Sequence, residues 1–279
     1  MLRFARDDRN GSAGARSVTT KQSRSTANLS SQGPRNVGFT GFPPAALAFF
    51  RELAEHNDPV WFRPRKAVYE TEVLAPFRIL IAAASVALGE AGVPLVGDPA
   101  RGIFRIYRDV RFSPDKRLYK THQGAILTRS GGKRDPGLLY LHLAPGESMV
   151  AAGFWHPEPA LLLRLRRAIA AAPDEFLAIA DALAAAGSPL TSDAKLSRPP
   201  RGIELAEDHR AAAYVCWKSF TAHATLRDEE VQSPALIERI VAFARTALPL
   251  LEWGWAAADD EAPPLPIPRM LRRPPPPDF

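Results

Sequence analysis

Apolar residues fall at a helical period early in the chain, at a strand period in its middle and at a helical period again towards its end. After Pro43-Pro44, Leu47, Phe50 and Leu53/Ala54 repeat every three to four positions. Proline costs nothing in a first helical turn, where the amide has no carbonyl to serve, so the pair predicts a helix start. Asn57-Asp58-Pro59 stops that helix. A second helical segment begins near Pro64 with Tyr69, Val73, Phe77 and Leu80/Ile81 on one face; Pro76 predicts a kink or break, and Gly89, Gly92 and Pro94 end it. From Ile103 the period becomes two. Short strands are predicted over 103–112, 123–129, 138–144 and 148–155, joined by Ser-Pro-Asp, Ser-Gly-Gly and Pro-Gly turns that suit antiparallel neighbours. Helical spacing returns with Leu161, Leu165, Ala168 and Ile169, then Phe176, Ile179 and Leu183. A polar loop at 188–202 precedes two more helical segments, over 208–223 and 233–256. Together these elements predict an α+β fold: an antiparallel β-meander of about four or more strands, covered on one face by helices from both the N- and C-terminal segments.

Composition divides the chain further. Of the net charge of +6, residues 1–36 hold seven Lys/Arg against two Asp, and residues 259–279 hold three Arg against four acids. The body at 37–258, read as one α+β domain, is therefore close to neutral. The basic character belongs to a Ser/Arg-rich N-terminal tail expected to be disordered, which shares its Arg and Ser content and shortage of acids with organellar transit peptides. Residues 259–279 read as a proline-rich tail. A near-neutral body disfavours nucleic acid as a partner. Cys216 is the single cysteine, so there is no intramolecular disulfide, and no Cys/His spacing suggests a metal. Cys216 is read as structural. No cofactor is assigned. The apolar run Ile79 to Leu88 is about half the roughly 20 residues a bilayer span needs, and a soluble, cytoplasmic protein without a membrane partner is expected.

Charge is densest over Arg105 to His122, which carries six Lys/Arg and two Asp. As a strand, this segment puts Phe104, Ile106, Arg108, Val110 and Phe112 on one face and Arg105, Tyr107, Asp109 and Arg111 on the other. Arg108 then interrupts an apolar row and must snorkel, pair with a carboxylate or bind an anion. On the opposite face, neighbouring strands are expected to add Tyr140 and His142, making a cationic pocket that Lys116, Tyr119 and Lys120 extend. The candidate ligand-binding residues are Arg105, Arg108, Arg111, Lys116, Tyr119, Lys120, His142, Asn57 and Trp61. The candidate acid/base groups are Asp109, Asp115 and His122. Such a set suits a small phosphate or carboxylate, bound or turned over enzymatically. The same residues also suit an internal salt-bridge network in a structural or interaction protein, or, less well, a nucleic-acid surface. Asn57 and Trp61 stand at a helix junction, where capping and packing explain them equally well. Arg164, Arg166 and Arg167 read as a solvated helix face. The chain has no GxxxxGK[ST], strand-following GxGxxG, GxSxG or HExxH, so P-loop, Rossmann, α/β-hydrolase and zincin chemistry are unsupported.

The run from Arg105 to Lys116 with Tyr119-Lys120-Thr121-His122 resembles the hallmark of an uncharacterised bacterial and fungal family, domain of unknown function 2461. Asn57 with Trp61-Phe62 and Lys66/Tyr69, Tyr140-Leu-His-Leu, Gly153-Phe-Trp155-His-Pro157, Arg166 with Ala168-Ile169, and Pro200-Arg-Gly202-Ile203 are similar to its other blocks. The resemblance spans about 38–256, with several separate motifs in order. His56, Pro59, Leu118 and Ala152 depart from the family pattern and weaken any strict recognition role for the 56–60 loop. The resemblance implies a shared fold and surface; the family name carries no activity.

Overall fold

The computed structural model describes residues 38–260 other than 112 and 207. The expectations for 1–36 and for 261–279 lie outside the described residues. Helix α1 (Pro44–Glu55) starts on its proline pair and buries Ala46, Leu47, Phe49, Phe50 and Leu53. The Asp58 carboxylate accepts from the amides of Val60 (2.7 Å) and Trp61 (3.0 Å), capping α2 (Pro59–Val68). The helix neither breaks nor stops at Pro76. A π turn (Tyr69–Leu74) leads into α3 (Ala75–Glu90), with the Ala75 amide reaching back to the Glu70 carbonyl. The widened turn absorbs the donor that Pro76 lacks. Residues 59–90 are thereby long and apolar enough, by length and composition, to cross a membrane. Their inner face instead packs Phe62, Tyr69, Val73, Phe77, Leu80, Ile81 and Leu88 into the core.

Four antiparallel strands form one sheet in the order β1 (Gln123–Leu127), β2 (Leu138–Leu143), β3 (Met149–Phe154) and β4 (Phe220–Thr225). The α+β meander is as expected, but two of its assignments change. Residues 103–111 are not a strand. Their backbone pairs with its neighbours only at isolated bridges, Ile103 to Ala125 and Tyr107 to Tyr119, although their burial still alternates. The fourth strand comes from the segment expected to be the helix 208–223. That helix shrinks to a 3-10 helix (Arg210–Cys216), because Phe220, Ala222 and Ala224 bury at a period of two against β3.

One face of the sheet carries Ala125, Leu127, Leu139, Leu141, Val150, Ala152, Phe154, Phe220 and Ala222. Against it pack α3, α4 (Pro159–Ala171), α5 (Pro173–Ala185) and α7 (Leu236–Asp259), while the short α6 (Asp228–Val231) joins β4 to α7. Phe50, Phe77, Phe154, Phe176 and Phe220 are fully buried there. Each such side chain supplies about 1.5–3 kcal/mol by leaving water. Arg166 is also buried, its Nη2 donating to the Trp217 carbonyl at 2.9 Å, which corrects the solvated-face reading at that position. Loops close both edges of the sheet. Thr191 pairs with Thr221 beyond β4, and Val96 with Thr128 beyond β1, so neither edge offers an open ladder.

Candidate functional site

Among the described residues, no helix covers the other sheet face over β1 and β2. A loop running from Val96 to His122 lies across it, and a smaller apolar cluster of Ile126, Tyr140, Met149 and Ala151, with Phe104 and Leu138 against it, fills the space between. The loop is tied to the helices by a chain of hydrogen bonds. The Tyr69 hydroxyl of the π turn donates to Gln123 Oε1 (2.7 Å), and Gln123 Nε2 donates to the Phe104 carbonyl (2.6 Å). Beneath Phe104 a pocket of about 60 Å³ opens among Lys120, His122, Ile126, Tyr140 and Trp155. That is room for a few waters or one small ring. Gly124 creates part of this space: a Cβ there would stand 2.6 Å from the Tyr140 hydroxyl.

The pocket floor is apolar and its polar groups are few. Tyr140 Oη and His142 Nδ1 are 3.0 Å apart, and the His122 and His142 rings lie 4.4 Å centre to centre. Burial, then His142, Lys120 and Arg108, push His122 down to about 3, and burial pushes His142 down to about 4. Both imidazoles are therefore neutral at pH 7, able to donate or accept a hydrogen bond but weak as bases. Burial also raises Tyr140, keeping it a phenol. Lys120 borders the pocket, and Lys120 Nζ and Lys133 Nζ stand 5.7 and 4.9 Å from the centre of the Phe104 ring. On the far side of the histidine pair a second, larger and more open cavity of about 210 Å³ is bordered by Phe50, Arg51, Thr121 and Glu147.

Of the residues singled out in the sequence, the fold brings Lys120 and His122 to this pocket, with His142 behind His122 on the side of the second cavity. The others go elsewhere. Arg108 and Arg117 share Asp115, at 2.6 and 2.7 Å, and Arg111 holds Asp109 at 2.7 Å. Those guanidiniums keep Asp115 far below the carboxylate range and Asp109 down at about 2, so both remain ionised bases of low strength. Lys116 Nζ donates to the Val110 carbonyl, and Arg105 is exposed. Tyr119 is buried and stacks on Phe62 at 4.2 Å. Asn57 spends both ends of its amide on the Tyr119 backbone (3.0 and 2.9 Å), as a strand neighbour would. Trp61 is half-buried, with His56 stacked on it and the Arg65 guanidinium 4.6 Å from its ring. Tyr140 and His142 do not join the Arg105/Arg111 side of the signature, because Phe104 is what meets Tyr140, 6.2 Å between ring centres.

Phe104, Lys133, Gly124 and Trp155 line or shape the pocket without having been singled out for it. Only the alternation that set Phe104 apart from Arg105 could have signalled any of them. Trp155 is followed by a second polar arrangement. His156 adopts φ 42°, its Nε2 meets Asp193 Oδ2 at 2.7 Å, and Ser219 Oγ donates to Asp193 Oδ1 at 3.1 Å. A hydrolytic triad uses these residue types, but Ser219 is fully buried, donating to the aspartate and accepting from the His156 backbone amide (3.1 Å) rather than facing the imidazole. The cluster is a clasp that sets the chain beside Trp155. Among the described residues no group of three or more His, Cys, Asp or Glu is placed to hold a metal ion.

A model of the family described as conserved hypothetical protein (DUF2461) matches residues 45–253. No curated protein and no solved structure matches the chain.

Proposed function

We propose, for a chain that belongs to the domain of unknown function 2461 family, that it binds a small anion, a carboxylate or phosphate carried on an apolar body, in the pocket between the sheet and the Val96–His122 loop. The observation that carries this reading is the pairing of an apolar floor with a cationic mouth: Ile126, Tyr140 and Ala151 beneath Phe104, with Lys120 and Lys133 at that ring. Apolar walls supply the affinity of such sites and a few polar groups the orientation. An ammonium at the rim suits an anionic head group, and a ring below suits a flat or branched hydrocarbon. His122, kept neutral by burial, offers one ring N–H and one ring nitrogen to hydrogen-bond a bound ligand.

The ion pairs within 105–117 favour a second role for the signature itself. Asp115 ties two arginines of one loop, and Asp109 a third, so this part of the motif acts as an internal network that shapes the loop over the pocket.

An aromatic sulfonate, 8-anilinonaphthalene-1-sulfonate, tests the pocket directly. Its emission is expected to rise on binding the native protein and to be lost in Ala151→Leu, which fills the floor. Lys120→Gln is expected to weaken binding about tenfold, as for loss of a charge-assisted hydrogen bond. An undiminished response in Ala151→Leu, with the fold intact by circular dichroism, removes the proposal.

A further inference from the structure

The near-neutral body conceals a strongly polarised surface. Residues 58–70 and 105–120 together hold nine Lys/Arg against four carboxylates, whereas the rest of 37–258 has three more acids than bases. The fold joins these two segments into one lobe. Phe62 of α2 stacks on Tyr119, the Phe62 and Tyr107 rings lie 6.3 Å apart, and Asn57 holds the Tyr119 backbone. Arg63 and Lys66 on α2, and Arg105, Arg111, Lys116 and Arg117 on the loop, all face solvent. Among them Tyr107 leaves 54% of its surface exposed.

We propose that this lobe is a docking surface for single-stranded nucleic acid. Guanidiniums match phosphate oxygens in a two-pronged geometry, and an exposed aromatic ring offers a stacking platform for an unpaired base. The carboxylates do not block such contacts. Asp109 and Asp115 are held by neighbouring arginines at the surface, where ion pairs are weak and a phosphate exchanges with them readily. A folded acidic protein is the competing occupant, since Val60 and Val68 of α2 are also exposed beside these cations, and the glutamate arm of the test reads it. The lobe is separate from the small-molecule pocket, with which it shares only Lys120. The averaged charge of the body argues against nucleic acid; its distribution argues for it.

The test is fluorescence anisotropy of a labelled twenty-nucleotide oligo-dU with the full chain, in rising salt. Binding is expected at low salt, and engagement of about four phosphates weakens it roughly sevenfold for each doubling of salt. The double variant Arg63→Glu/Lys66→Glu is expected to lose more than tenfold in affinity. Arg198→Glu/Arg201→Glu makes the same charge change on exposed positions of the loop beyond β4 and is expected to retain most of it. Equal loss in both variants assigns binding to overall charge or to the basic N-terminal residues and overturns the proposal. So does an absence of binding at low salt, or displacement of the oligonucleotide by an equal concentration of a glutamate 20-mer. Failure of these experiments leaves the anilinonaphthalene sulfonate result untouched, so the two readings fall separately.

Discussion

The two faces of the sheet are built for different ends. The helix-covered face presents Leu127, Leu139, Leu141, Phe154 and Phe220, all buried in a continuous apolar core. The opposite face presents Gly124, Tyr140, His142, Thr221 and His223, covered over β1 and β2 only by a loop. Identical backbone ladders therefore support a dry core on one side and, on the other, an apolar pocket edged by a few polar groups. The difference lies in what arrives to cover each face: amphipathic helices exclude water, whereas a loop with its own backbone polar groups leaves gaps that need hydrogen bonds.

The sharpest way to break the comparison is to cut one large side chain from the core face. Phe154→Ala is expected to cost about 3–5 kcal/mol in chemical denaturation, the usual range for a fully buried aromatic whose cavity cannot collapse. Ala151→Leu, on the pocket face beside it in β3, is expected to leave stability nearly unchanged because space already exists there. A comparable loss from Ala151→Leu would show the pocket face to be packed like the core.

Acid should separate the faces next. His122 and His142 are held at about 3 and about 4 in the fold, below the usual 6.5 of an unfolded histidine. The unfolded chain then binds protons that the fold refuses. Stability is full above about pH 6.5 and falls as the pH drops towards 4 and 3, by up to about 5 kcal/mol for His122 and about 3 kcal/mol for His142. His122→Gln is expected to flatten that part of the pH profile of the unfolding midpoint. An unchanged slope would mean that the pair is already solvated.

A smaller effect is expected where Tyr140 crosses a glycine. Gly124→Ala puts a methyl group 2.6 Å from the Tyr140 hydroxyl. It should cost about 1–3 kcal/mol, the typical range for overpacking. Loss of anilinonaphthalene sulfonate binding in the same variant would tie Tyr140 to the pocket. Smallest of all is Arg111→Ala. Its partner Asp109 sits beside it in solvent, and thermal melting is expected to show no change, whereas a clear drop would mark the signature network as a stabilising element.

Much of this architecture follows from local pattern. Helical spacing at Leu47, Phe50 and Leu53, and again at Leu161, Leu165 and Ile169, places α1 and α4, because an apolar stripe must be buried and its period reveals the element. The strand period at 123–127, 138–143 and 149–154 likewise places β1 to β3. The failures share one cause. Residues 103–111 alternate like a strand and even bury like one, yet with the β1 edge contacted only at isolated bridges they form a loop. Residues 220–225 join the sheet because β3 has a free edge for them, which no spacing within the segment records. The candidate site divides in the same way. A dense run of arginines and aspartates is visible in the sequence, but whether each charge meets a neighbour or a cavity depends on residues far along the chain. Asp115 satisfies Arg108 within the loop, while Lys120 and His122 meet at one pocket because Gln123 and Tyr69 hold Phe104 over the sheet. Sequence alone determined which segments must bury a face and where charge concentrates, since both are set by neighbours a few residues apart. Tertiary structure alone decided which side of the sheet stayed open and which charges meet across it, because those depend on contacts between distant segments.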